Sequence, residues 1–152
     1  MNHSSATAMT TSLEKLTPEQ VQSEVRRFWS VFMEKNADEL MAFYSAESSV
    51  FSSLSPRSEP GRLAAARRQR EYFHRNANIL ATTGAVDVVL LGDRAALASY
   101  TFTFHATRLG GATGNVSTED IRNGRATQVF ILDHDGKVRI AHEHLSAIEK
   151  AH

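Results

Sequence analysis

The sequence predicts an α+β domain, with three helices at the front of the chain and long antiparallel strands after them. Three observations carry this reading. Apolar residues recur at helical spacing between positions 17 and 77, the period changes to two after Gly84, and Asp135-Gly136 marks a hairpin in the last quarter. The 152 residues include 17 basic and 17 acidic side chains, 41% apolar residues and no cysteine, the makeup of one globular domain that needs no disulfide. Absence of Cys removes thiolate zinc sites, iron–sulfur clusters and cysteine nucleophiles, so any metal must be held by His and carboxylates. Balanced charge supplies no global field for nucleic acid or an anionic membrane. The longest apolar runs, such as Val88 to Leu91, are far too short to span a bilayer.

Residues 1–15 are small and polar and lack the charged start and apolar core of a secretory signal, so they read as a disordered tail on a cytoplasmic protein. The folded domain is expected over residues 16–149. Thr17 can cap a first helix, Pro18 suits its first turn and Gln20 completes a capping box. Val21, Val25, Phe28, Trp29 and Phe32 then share one helical face to about Lys35. A shorter helix starts near Asn36 or Asp38, with Leu40, Met41, Phe43 and Tyr44 on its buried side. Glu47 to Gly61 is rich in Ser and Pro and reads as an irregular connection with a short strand at Val50-Phe51-Ser52. Gly61 to Ala77 forms the third helix, with Leu63, Ala66, Arg70 and Phe73 on one face. Val86 to Leu91 and Ala95 to Arg108 are strand-like, the second alternating Tyr100, Phe102, Phe104 against Ser99, Thr101, Thr103, His105. After a Gly-rich loop at Gly110 to Gly114, the last two strands run Ser117 to Leu132 and Lys137 to Ile148.

The closing hairpin, Arg125 to Leu132 and then Gly136-Lys137 through His142-Glu143-His144-Leu145-Ser146, resembles the last strands of the nuclear transport factor 2-like superfamily. It looks most like SnoaL-like domains and the association domain of calcium/calmodulin-dependent protein kinase, where the final strand typically reads Gly-Lys-Trp-x-Ile-Val-His-x-His-x-Ser. Val138 stands where that pattern has Trp. Phe28-Trp29 in the first helix and Phe43-Tyr44 after the second fit the same family over residues 16 to 149. The resemblance implies a cone-shaped, cystatin-like fold: three N-terminal helices packed against a curved antiparallel sheet, leaving a pocket between them.

Strict alternation places Val138, Ile140, His142 and His144 on one face of the last strand, and the two apolar members suggest that this face points inward. A two-residue turn at Asp135-Gly136 pairs Val129 with His142 and Thr127 with His144, so Arg125 and Thr127 join them. Arg125, Thr127, His142 and His144 thus form a polar cluster beyond an apolar floor; the resemblance then makes His144, His142 and Arg125 the candidate catalytic residues, with Trp29, Tyr44, Thr127 and Asp120 as substrate-binding candidates. Hydrogen-bonded core histidines compete with that reading, and so does an ion pair of Arg125 with Glu143 or Asp120. Gly136, His142, His144 and Glu149 match the spacing of a first cupin metal motif, but too little chain follows for the second motif, and no metal or cofactor is expected. Arg62, Arg67, Arg68, Arg70 and Arg75 make the third helix locally basic; a solvated helix face explains them, and nucleic acid is not an expected partner. Gly110 to Gly114 lacks the Lys-Ser/Thr of a phosphate loop.

Two function classes remain. The resemblance implies a small-molecule-binding domain with isomerase, cyclase or dehydratase chemistry on an apolar substrate, His144 or His142 supplying the acid–base group and Arg125 or Tyr44 stabilising negative charge. The alternative is a non-catalytic module that self-associates or only holds a ligand. A homodimer is expected through the convex sheet face, since Ala126, Gln128, Phe130 and Leu132 with Arg139, Ala141, Glu143 and Leu145 would otherwise expose large apolar side chains.

Overall fold

A computed structural model describes residues 14–52, 59–60, 62–108 and 117–147. The N-terminal tail up to residue 13, the Gly110 to Gly114 loop and Glu149 lie outside these residues. Helix α1 spans Pro18–Met33, and its start is the expected capping box: Gln20 N–H donates to the Thr17 hydroxyl at 3.2 Å, and Thr17 N–H to the Gln20 side chain at 3.1 Å. Val21, Val25, Phe28, Trp29 and Phe32 are all buried, as their spacing predicts. Helix α2, Ala37–Met41, is capped by Asn36, whose side chain accepts from Glu39 N–H.

Tyr44 does not continue that helix. It opens strand β1 (Tyr44–Ser52), which contains the short strand expected at Val50-Phe51-Ser52 and extends it back through residues expected to be irregular or helical. The Ser-rich sequence hides this extension because the strand's partner is non-local: β1 runs parallel to the last strand, Val50 beside Glu143. A short β2 (Glu59–Pro60) pairs with β1, and α3 (Arg62–Arg75) follows, ending two residues earlier than expected. Asn76 is already the first residue of β3 (Asn76–Thr83), a strand without its own sequence signal that pairs with the far end of β5. The remaining strands are β4 (Asp87–Leu90), β5 (Ala95–Arg108), β6 (Ser117–Leu132) and β7 (Val138–Ala147). Their order is β2-β1-β7-β6-β5-β3, with β4 pairing the near end of β5. The sheet is thus mixed rather than wholly antiparallel, because β1 and β7 run the same way.

The aromatic face of β5 points inward as its alternation predicts, burying Tyr100, Phe102 and Phe104 under α1. Trp29 stacks on Phe102 with ring centroids 5.1 Å apart, and Phe32 meets Phe104 edge-on at 6.0 Å. The sheet bends at a register shift between Phe102 and Phe104, where Gly124 of β6 faces the Phe102 ring.

The β6–β7 hairpin departs from the expected geometry in two places. Its turn has three residues, since Asp133 N–H donates to Lys137 O and Gly136 takes φ 82°, so Leu132 faces Val138 and Phe130 faces Ile140. A bulge at Ala141 then restores the predicted pairs, Val129 with His142 and Thr127 with His144. The inserted residue reverses which side chains point inward: Ile140 and Glu143 are both fully buried, while His142 is half-buried and His144 exposed on the outer face. The proposed self-contact is therefore corrected. Ala126, Gln128, Phe130 and Leu132 face the core, Phe130 with no exposed surface, and Arg139 pairs with Asp133 and Asp135 in the turn.

Candidate functional site

Between α1, α3 and the inner face of the sheet lies a cavity of about 380 Å³. Trp29, Phe32, Tyr72, Phe102, Phe104 and Leu145 supply most of its apolar wall. Helix α3 contributes Arg68, Glu71, Tyr72 and Arg75, positions at steps of 3, 1 and 3 that share one helical face. Arg108 joins them from the end of β5, and Glu143 is the carboxylate that the sheet presents to the space.

Glu143 ends a line of buried hydrogen bonds. Trp29 Nε1–H donates to the Tyr100 hydroxyl at 2.9 Å, that hydroxyl donates to Gln128 Oε1 at 2.7 Å, and Gln128 Nε2 donates to Glu143 Oε1 at 2.7 Å. From the other side the Tyr44 hydroxyl donates to both Glu143 oxygens, at 3.2 and 3.0 Å. Every donor in the line therefore points toward one carboxylate, and the register explains why: Ala98, Gln128, Glu143 and Val50 sit side by side across β5, β6, β7 and β1. Burial pushes the Glu143 pKa up, while the bonds from Gln128 and Tyr44 and the positive charge of Arg68 hold part of that rise back. Burial also raises Tyr44 and Tyr100 well above the ordinary phenol value, Glu143 adding to both, so both hydroxyls remain protonated donors.

The expected site residues separate into two groups. Trp29 lines the cavity and Tyr44 holds Glu143, so these two do converge. His142, His144, Arg125, Thr127 and Asp120 do not join them; all lie on the outer face of the sheet, because the bulge at Ala141 and the buried Ala126 and Gln128 fix the opposite parity. His142 Nδ1 is 2.7 Å from the Ser49 hydroxyl, and Asp120 pairs with His105. Glu143, Gln128, Tyr100 and the Arg68–Arg75 face were missed. A signal existed for the first two: Phe130, Leu132 and Leu145 share their parity, and so apolar a face belongs inside.

Gly124 is part of the same construction. A Cβ built there would lie 2.4 Å from the Phe102 ring, so Gly124→Ala is expected to drive Phe102 into the cavity and off Trp29. Trp29 is the only tryptophan in the chain, and a shifted emission maximum with a lowered melting temperature would show this; an unchanged spectrum would contradict it.

Solved structures share this fold. An NTF2-like protein with a cystatin-like fold from Novosphingobium aromaticivorans superposes with a TM-score of 0.64 at 14% identity, covering 88% of this chain and 82% of its own. The chain has the NTF2-like fold. A candidate calcium/calmodulin-dependent protein kinase II association domain from Xanthomonas campestris gives 0.70 at 19% identity, covering 93% and 99%. A candidate scytalone dehydratase from Novosphingobium aromaticivorans gives 0.73 at 10% identity, covering 86% and 85%. No family model matches the sequence, and no curated protein does. Identities this low carry the NTF2-like fold and not an activity. No helix among the described residues is long and apolar enough to cross a membrane, and no three of their His, Asp or Glu side chains group as metal ligands.

Proposed function

We propose that this chain binds a small, mostly apolar organic molecule in the cavity and moves a proton on it, with Glu143 as the acid–base group. The observation that carries the proposal is a fully buried carboxylate, oriented by two donors, facing an aromatic cavity. Desolvation makes such a carboxylate a stronger base than one in water. Ionised Glu143 would take a proton from carbon next to a carbonyl. The resulting acid then returns it to another carbon, giving isomerisation, or to a departing hydroxyl, giving dehydration. Arg68, beside the cavity, is placed to stabilise the oxyanion that forms on the carbonyl oxygen. The acid–base role expected of His142 and His144 thus passes to Glu143. The candidate dehydratase among the structural neighbours is consistent with this reaction class.

Deuterium incorporation from heavy water into the α-carbon of a panel of cyclic and aryl ketones tests the reading. Protein-dependent exchange above the buffer rate is expected for at least one member. Exchange at the buffer rate across the panel would sink it.

A self-association reading rests on a different surface. Val89 (54% exposed), Leu97 and Val129 form a row across β4, β5 and β6 on the outer face, with Ile131 close by. If two copies pack there, light scattering will show a dimer mass that falls to 16.8 kDa on Val129→Glu. A wild-type monomer at micromolar concentration rejects it.

A further inference from the structure

The cavity has an uneven charge distribution. Among the described residues, Arg68, Arg75 and Arg108 line it against only Glu71 and Glu143. Arg68 and Arg75 are seven residues apart on α3, two turns and roughly 10 Å along the axis, so one lies near Glu143 and the other at the far end. Arg108 sits beside that far end because Asn76, the residue after Arg75, is its register partner in the β3–β5 ladder. Both Arg75 and Arg108 are exposed, and neither makes an ion pair among the described residues, whereas Arg27, Arg70 and Arg139 all do. Two guanidinium groups at the rim of an otherwise aromatic space are suited to hold an oxyanion.

We infer that the ligand is an aromatic or alicyclic monocarboxylic acid, its carboxylate held at the mouth by Arg75 and Arg108 and its ring system reaching inward toward Glu143. This rests on the reading of the cavity as a ligand site. The charge count over the described lining favours one negative charge: with Glu71 and Glu143 ionised it keeps a single excess positive charge, which a monoanion balances and a dianionic phosphate overshoots. The carboxylate also fixes the orientation of the bound acid. Anchoring one end at the rim leaves the opposite end of the skeleton beside the base, the arrangement that proton transfer requires.

Calorimetric titration of the full chain with 2-naphthoate and its neutral isostere 2-naphthamide tests this. The carboxylate is expected to bind about tenfold more tightly at low ionic strength, one well-placed charge-assisted contact. In the Arg75→Gln/Arg108→Gln double variant the naphthoate affinity should fall to that of the amide, with amide affinity unchanged. Both positions are exposed, and circular dichroism verifies that the variant is folded. Equal affinities in the wild-type protein, or a carboxylate preference that survives the double substitution, would overturn the inference while leaving the apolar cavity reading intact. If neither probe binds, the ligand-site reading itself fails and the inference falls with it.

Discussion

Glu143→Gln is expected to abolish α-carbon exchange while leaving the domain folded. The loss should be about 10²- to 10⁴-fold, the usual contribution of one positioned acid–base group. The amide keeps the shape of the carboxyl, and the Tyr44 hydroxyl can turn from donor to acceptor toward the new amide nitrogen. Folding stability supplies an independent readout. Because burial raises the Glu143 pKa above its ordinary 4.5, the folded state binds this proton more tightly than the unfolded chain does. Its stabilising contribution is complete below 4.5 and is lost as pH rises through the folded pKa, at up to about 1.4 kcal/mol per pH unit. Asp133 and Asp135 act in the opposite sense, since the His134 backbone and Arg139 hold their pKa values down and their contribution disappears as pH falls. The stability difference between wild type and Glu143→Gln isolates the one group. Chemical denaturation across pH should show that difference moving in favour of the variant as pH rises, and exchange by the wild type should increase over the same interval as the base ionises. A difference independent of pH would remove Glu143 from the role of base.

The helices and the aromatic strand were legible because their signals are local. Thr17-Pro18-Glu19-Gln20 describes a cap in four residues, and Tyr100, Phe102 and Phe104 alternate without interruption, so both could be placed without knowing a partner. β1 was legible only at its end, Val50-Phe51-Ser52, and β3 not at all, for the converse reason: their partners β7 and β5 are remote, and Ser, Glu and Asn at the other positions carry weak strand preference. The inward face of the last strand was misplaced at one residue. The pairs Val129–His142 and Thr127–His144 were correct, yet a bulge at Ala141 inverts the face that alternation from Val138 and Ile140 predicts. No residue type marks that bulge in the sequence. What does mark the error is the opposite face, where Phe130, Leu132 and Leu145 accumulate beside Gln128 and Glu143. The sequence offers two explanations for such a face, an oligomer contact or a core, and only the pairing of Ala126 and Gln128 with inward Tyr100 and Ala98 decides between them.

Phe130→Glu separates those two explanations with the largest stability effect expected for this chain. Phe130 has no exposed surface and lies between Ala96 of β5 and Ile140 of β7, on the face that α1 covers. Removing a buried phenylalanine side chain costs about 3–5 kcal/mol, and a carboxylate in its place adds the cost of burying an unpaired charge. Domains of ordinary stability hold about 5–15 kcal/mol in all, so the variant should lose its cooperative thermal transition or become a collapsed species without fixed tertiary packing. Near-ultraviolet circular dichroism and a melting curve read this directly. Had Phe130 belonged to a contact between copies, the same substitution would leave a folded chain of halved mass. A folded Phe130→Glu protein with an undiminished melting temperature would therefore return this face to the outside of the sheet, and with it return His142 and His144 to the cavity.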